Sequence, residues 1–273
     1  MGIIDVTKRL ARNAWRVPGL GQLLEADYAR TFAKLPRSGF RGVYRTFAEA
    51  EAAIPPGHPV GYDHDAMTTM YRNRMEKACQ SDYAVLYWMR EVLRAKPASL
   101  VFDVGGHVGV SYYGWKKYLG FDPGLRWLVQ EVPAVAEAGT ELARERGEPA
   151  LAFTSDLAAG RGCDVLMAAG SLQYVDLGVP QLLDAVGSRP AHLILNKMPV
   201  YDGESFVTVQ STGRAFHAYR IYNGTELVTS VTALGYELVD DWQNREQHCE
   251  IPFTRGKDID AYSGFYFVAN ASS

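Results

Sequence analysis

Cysteine is scarce in this sequence: Cys79, Cys163 and Cys249 are the only three in 273 residues. Scattered and odd in number, they form neither a disulfide framework nor a Cys-x-x-Cys metal pair, and a reducing compartment suits them. No apolar run approaches the roughly 20 residues of a membrane span. The N-terminus lacks the apolar stretch and small-residue cleavage site of a secretory signal, so a cytoplasmic location is expected. Basic charge is not in excess. The net charge of −3 argues against a general nucleic-acid binder, which needs a positive surface. Internal repeats and low-complexity tracts are missing. Asp240-Asp241 has no His or Asn cluster nearby, so no metal is expected. No nucleophile elbow and no suggestive cysteine context point to covalent catalysis.

What is present is ordinary for a globule: 47% hydrophobic and 22% charged residues. The length allows one α/β domain with an N-terminal extension. We divide the chain into a helical cap over 1–80 and a Rossmann-like domain over 81–273. Ile3, Ile4, Val6 and Leu10 mix with Lys8, Arg9, Arg12 and Arg16 in a short basic amphipathic helix that breaks near Pro18-Gly19. It can dock on its own domain or touch anionic lipid as a peripheral contact. Residues 38–44 read as a loop with aromatic anchors and 47–53 as one or two helical turns, with a break at 54–59. A helical pattern runs over 65–96 and stops at Pro97. Beyond it strands and helices alternate, the mark of a doubly wound parallel sheet. Strands are expected at 100–104, 127–132, 151–154, 164–168 and 192–196. Helices are expected at 111–119, 134–146 and 180–186. Two further strands, at 236–241 and 264–269, can form an antiparallel pair.

The most telling stretch is Leu100-Val101-Phe102-Asp103-Val104-Gly105-Gly106-His107-Val108-Gly109. A buried strand runs into an acid and then a glycine turn, which lets a ligand approach the main chain. Asp103 would repel a phosphate, whereas helix N-termini otherwise attract one. It suits a ligand with ammonium and hydroxyl groups and no phosphate, such as S-adenosylmethionine. Ligands in such sheets lie outside the carboxyl ends of the strands. The second strand ends in Gln130-Glu131-Val132-Pro133, where Glu131 can accept ribose hydroxyls. The third ends in Thr154-Ser155-Asp156-Leu157, where Asp156 can meet an adenine amino group. The fourth ends in Ala169-Gly170-Ser171-Leu172-Gln173-Tyr174, close to where a reacting methyl would sit.

The stretch from Val101 to Gly109 resembles the first motif of class I S-adenosylmethionine-dependent methyltransferases. Glu131 matches the acid ending their second strand, and 164–168 with 171–174 is similar to their fourth motif. The resemblance covers about residues 80–270. It implies a Rossmann-like, mostly parallel seven-stranded sheet with helices on both faces and an N-terminal helical extension. It implies S-adenosylmethionine as cofactor, with Asp103, Gly105, Gly106, His107, Gly109, Glu131, Val132, Asp156, Leu157, Gly170 and Ser171 at its site. The whole chain further resembles a branch of bacterial methyltransferases that often accompany surface-polysaccharide genes. A dinucleotide site would need Gly-x-Gly-x-x-Gly, whereas Gly105, Gly106 and Gly109 give Gly-Gly-x-x-Gly after an acid. Tyr113 and Lys117 form a Tyr-x-x-x-Lys by chance, on the wrong helix for a short-chain dehydrogenase.

Methyl transfer from a sulfonium is an in-line displacement with a neutral leaving group, so holding the acceptor in line can supply most of the catalysis. A base matters where the acceptor is a hydroxyl. The connection over 197–223 is long, and long connections are often functional. It carries Tyr201, Gln210, His217, Tyr219, Arg220 and Asn223. His217 and Tyr174 are the candidate catalytic residues. Gln173, Tyr219, Arg220 and Asn223 are the candidate acceptor-binding residues, with Arg220 able to pair an anion. His248 can line the acceptor mouth, and His58 and His64 can belong to a lid. The expected reaction is methyl transfer to a small polar acceptor, with a sugar or glycan precursor in view and O-methylation favoured. A non-catalytic cofactor-binding scaffold and a nucleotide-dependent oxidoreductase stay open, as does the oligomeric state.

Overall fold

A computed structural model describes residues 20–34, 38–61 and 75–270. The expected basic helix at 1–17, His64 and the first part of the helix expected over 65–96 lie outside the described residues. In chain order the elements begin with α1 (Leu20–Phe32), β1 (Gly39–Tyr44) and α2 (Phe47–Ala52). A 3₁₀ turn over Gln80–Asp82 leads into α3 (Tyr83–Ala95). There follow β2 (Leu100–Val104), α4 (Val110–Leu119), β3 (Arg126–Gln130), α5 (Pro133–Arg146) and β4 (Leu151–Thr154). Next come β5 (Val165–Ala169), α6 (Val179–Val186), β6 (His192–Met198) and β7 (Val200–Tyr201). The chain continues through β8 (Phe206–Ser211), β9 (Phe216–Asn223), α7 (Gly224–Thr232), β10 (Tyr236–Asn244) and β11 (Tyr262–Ala269).

The main sheet has seven strands in the order β10-β11-β6-β5-β2-β3-β4. Pairing is parallel from β6 through β5, β2 and β3 to β4, and β11 alone runs against its neighbours. This is the expected Rossmann-like, mostly parallel sheet. Its central strands are apolar on both faces because helices cover both. Side chains along a strand alternate between the faces. Val101, Val165, Met167 and Ile194 pack with Val85, Met89, Tyr112 and Trp115 of α3 and α4. Phe102, Val104, Leu166 and Leu193 pack on the opposite face with Leu182, Val186, Leu227 and Val231 of α6 and α7. Strand order reverses between β2 and β5, which opens a crevice at their carboxyl ends.

A second sheet, ordered β1-β8-β9-β7, stands over that end. It departs from the reading of 38–44 as a loop and 197–223 as one long connection. Residues of β8 are buried without exception, its polar Thr208 and Gln210 as well as its apolar Val207 and Val209. Its partner β1 comes from the other end of the chain, with Phe40 opposite Gln210. One face of this sheet packs Val207, Val209, Phe216 and Ala218 on Phe32, Phe47 and Ala50 of α1 and α2. The other carries Phe40, Phe206, Tyr219 and Ile221 against Ile251, Ile259 and Tyr262.

Candidate functional site

The two sheets enclose a cleft of about 750 Å³, lined by the ends of β2, β3 and β5 on one side and by Phe40, Gln210, His217 and Tyr219 on the other. Asp103, one residue from the end of β2, is fully buried. Its Oδ2 accepts the Trp127 indole N–H at 3.3 Å, while Oδ1 has no hydrogen-bond partner. Burial pushes its pKa up to about 7; the Trp127 bond pulls down, the nearby Glu131 charge pushes up and Lys197 pulls down. A lone buried acceptor of this kind is costly, by about 1–3 kcal/mol or more.

The glycine turn lies directly on this carboxylate. A Cβ on Gly106 would stand 2.5 Å from Asp103 Oδ2, and one on Gly105 (φ +68°) 2.2 Å from Ser171 Cβ. His107, in left-handed conformation (φ 54°), donates its main-chain N–H to Glu131 Oε1 at 3.0 Å. The Val132 N–H donates to Glu131 Oε2, also at 3.0 Å. Burial raises the Glu131 pKa, and these two bonds oppose the rise. Each oxygen keeps a second lone-pair direction for a ligand hydroxyl. Across the cleft, Ser171 Oγ donates to the Val104 carbonyl and ties the β5 loop to the end of β2. Gln173 Nε2 donates to the Gly170 carbonyl at 2.9 Å, which leaves its Oε1 buried and without a partner.

Lys197 and Asp82 went unnoticed in the sequence. Lys197 sits near the end of β6 with φ 57°, a conformation that costs a non-glycine residue free energy. Its Nζ meets Asp82 Oδ1 at 2.8 Å beside the cleft. Asp82 Oδ2 also accepts the Cys79 N–H at 2.9 Å and the Trp115 indole N–H at 3.3 Å. Next to this pair, Asn196 donates to the Ser81 carbonyl and accepts from the Trp242 indole, which seats the turn before α3 on the sheet. Nothing local in the sequence signals a pair assembled from a turn and a distant strand.

The far side of the cleft is built by register. Phe40, Gln210 and His217 are cross-strand neighbours on β1, β8 and β9 and so share one face. Tyr174 donates to Gln210 Oε1 at 2.9 Å, with its ring 5.4 Å from His217 and 5.0 Å from Tyr219. The hydroxyls of Tyr219 and Tyr262 meet at 2.7 Å. His248 lines the mouth.

Of the residues singled out in the sequence, Asp103, Gly105, Gly106, His107, Glu131, Val132, Gly170, Ser171, Gln173, Tyr174, His217 and Tyr219 line this cleft. Gly109, Asp156, Leu157, Arg220 and Asn223 do not line it, and most have other structural work. Gly109 (φ +87°) begins α4. Asp156 accepts the Ala158 N–H at 2.9 Å. Arg220 pairs with Asp176 at 2.6 Å and lies over the Phe47 ring. Asn223 caps α7 by accepting the Glu226 N–H at 2.7 Å. His58 packs edge-on against Phe216 instead, and Tyr201 donates to the Glu204 carbonyl. Tyr113 and Lys117 lie on α4, where Lys117 donates to the Glu76 carbonyl. Among the described residues no three His, Cys, Asp or Glu side chains come together to hold a metal ion.

No protein-family model matches the sequence, and no curated protein matches it significantly. Solved structures of similar chain path exist at low identity. Magnesium protoporphyrin IX methyltransferase from Synechocystis PCC 6803, with bound S-adenosylhomocysteine, is 14% identical over 77% of this chain and 89% of its own, with a TM-score of 0.46. An O-methyltransferase family protein from Burkholderia thailandensis is 12% identical over 92% of this chain and 71% of its own, with a TM-score of 0.49. An S-adenosylmethionine-dependent methyltransferase from Clostridium acetobutylicum is 11% identical over 70% and 94%, with a TM-score of 0.43. Likeness at this level says nothing of what this chain binds; its strand-end acids and glycine turn bear on that.

Proposed function

We propose that this chain transfers a methyl group from S-adenosylmethionine to a small polar acceptor, with a hydroxyl as the methylated group and a sugar or glycan precursor as the acceptor class. One observation carries the reading. Asp103 near the end of β2 and Glu131 just past the end of the adjacent β3, two largely buried acids, flank a glycine turn that has no room for side chains. A pyrophosphate would meet negative charge there, whereas a cationic, phosphate-free adenosyl compound is complementary.

Asp103 Oδ1, which lacks a partner, fits the ligand's ammonium group. Glu131 is suited to the ribose hydroxyls, with His107 and Val132 holding its carboxylate in place. Gly105, Gly106, Gly170 and Ser171 keep the approach open. When bound, the sulfonium donor supplies a methyl group on a neutral leaving thioether. Placing the acceptor in line is the task of the β5 loop and the second sheet. His217 is the candidate to take the hydroxyl proton, with Tyr174 packed against its ring.

Calorimetric titration with S-adenosylhomocysteine and, separately, NADH tests this. S-adenosylhomocysteine is expected to bind and NADH not. Asp103→Ala and Glu131→Ala are each expected to weaken the binding by about tenfold or more, a loss of about 1.4 kcal/mol. NADH binding alone, or unchanged affinity in both variants, would sink the reading.

A further inference from the structure

Resting on the methyl-transfer reading, we infer that Lys197 receives the carboxylate of the donor's amino-acid tail, beside the Asp103 carboxylate that receives its ammonium. An α-amino acid carries both charges on one carbon. A site for it needs an anion and a cation close together that are not spent on each other. Asp103 and Lys197 both line the cleft and meet this condition. The Lys197 charge pulls the Asp103 pKa down, so the two groups lie within electrostatic reach. They do not pair with each other. Asp103 Oδ2 holds the Trp127 indole and its Oδ1 has no partner, while Lys197 Nζ meets Asp82. An ammonium has three N–H groups, and Asp82 Oδ1 takes at most one of them. The others remain for a ligand oxygen.

Topology sets the order of these groups. At their carboxyl ends the neighbouring strands β6, β5, β2 and β3 carry Lys197, Gly170, Asp103 and Glu131 in that order. Two strand spacings, about 10 Å, separate β6 from β2, and the flexible four-carbon stem of a lysine covers part of that gap. The stem lies along Gly170: a Cβ there would stand 3.4 Å from Lys197 Cβ and 3.6 Å from its Cδ. Ser171, next in the chain, faces Gly105 of the glycine turn. With Glu131 suited to the ribose, the amino-acid end of the donor falls on the β6 side. Lys197 also holds a left-handed backbone conformation (φ 57°), and strain of this kind clusters at ligand-binding sites. Among the described residues lining the cleft the other lysine is Lys77, which is exposed, and no arginine joins them. Water and salt screen a charge pair made by Lys77, and one made by the largely buried Lys197 much less.

Wild-type protein is titrated calorimetrically with S-adenosylhomocysteine and with its decarboxylated analogue, which keeps the ammonium and lacks the carboxylate. Wild type is expected to prefer S-adenosylhomocysteine by about tenfold or more. Lys197→Met is expected to bind the two compounds with equal affinity, and Lys77→Met to keep the wild-type preference. Comparing two ligands within one variant cancels any general loss of structure. If Lys197→Met does not fold, the Asp82→Leu, Lys197→Met double variant, which leaves neither charge of the pair behind, decides by the same comparison. Equal affinity in wild type, a preference that survives the removal of Lys197, or a preference lost in Lys77→Met alone would overturn the inference. Failure of wild type to bind S-adenosylhomocysteine overturns the methyl-transfer reading beneath it, a distinguishable result.

Discussion

Lys197 Nζ lies 2.8 Å from Asp82 Oδ1, and the two side chains are only 17% and 8% exposed. The pair joins the turn before α3 to the end of β6 at the edge of the cleft. Removing one partner of a buried pair leaves a charge without compensation, which costs about 3–5 kcal/mol. Asp82→Ala is therefore expected to lower unfolding stability in urea by about 3 kcal/mol. The Asp82→Leu, Lys197→Met double variant should be more stable than Asp82→Ala. A double variant no better than Asp82→Ala would mean that the Cys79 and Trp115 bonds to Asp82, not the ion pair, hold this corner.

Asp103 titrates near 7 in the folded chain because it is buried, against the ordinary carboxyl value of 3.8 when unfolded. Between those values the folded state holds a proton that the unfolded state has released. Its contribution to stability is thus full below about pH 4 and is lost as pH rises through about 7. Relative to Asp103→Asn, wild type should lose stability between pH 4 and pH 7, by up to about 4 kcal/mol. Urea titrations across that range check the sign. An ammonium-bearing ligand needs the ionised form, so wild-type affinity for S-adenosylmethionine should rise about tenfold from pH 6 to pH 8. In Asp103→Asn that slope should vanish.

Gly106 stands so close to Asp103 that a methyl group has no place between them. Gly106→Ala must move either the turn or the carboxylate, a strain of about 1–3 kcal/mol. Its expected signature is a lower melting temperature together with loss of S-adenosylhomocysteine binding in calorimetry. Gly147, which ends α5 with nothing near its missing side chain, is the control. Gly147→Ala should lose some stability from its positive φ and keep the ligand.

The parallel strands were legible because buried parallel strands are short apolar runs broken by turn residues, and β2, β4 and β6 fall where such runs occur. The acids Asp103 and Glu131 were legible for the same reason, since each stands at the carboxyl end of such a strand. The second sheet was not. Gly39 and Gly42 weaken the strand pattern of β1, and the alternation Val207-Thr208-Val209-Gln210 in β8 does not say that its partner lies near residue 40. The roles of Arg220 and Asn223 were also hidden. Asp176 and the start of α7 had to be seen beside them before an ion pair and a helix cap could be recognised.

By itself, the order of apolar runs, turns and strand-end acids determined the seven-stranded sheet and the acidic glycine turn, because those features arise from neighbours in the chain. Tertiary structure alone decided what faces the turn. Phe40, Gln210 and His217 meet through the pairing of β1 with β8 and β9. Asp82 meets Lys197, and Tyr219 meets Tyr262, across long stretches of chain. Such contacts are set by how sheets stack and pair, and no local pattern encodes a partner that lies a hundred residues away.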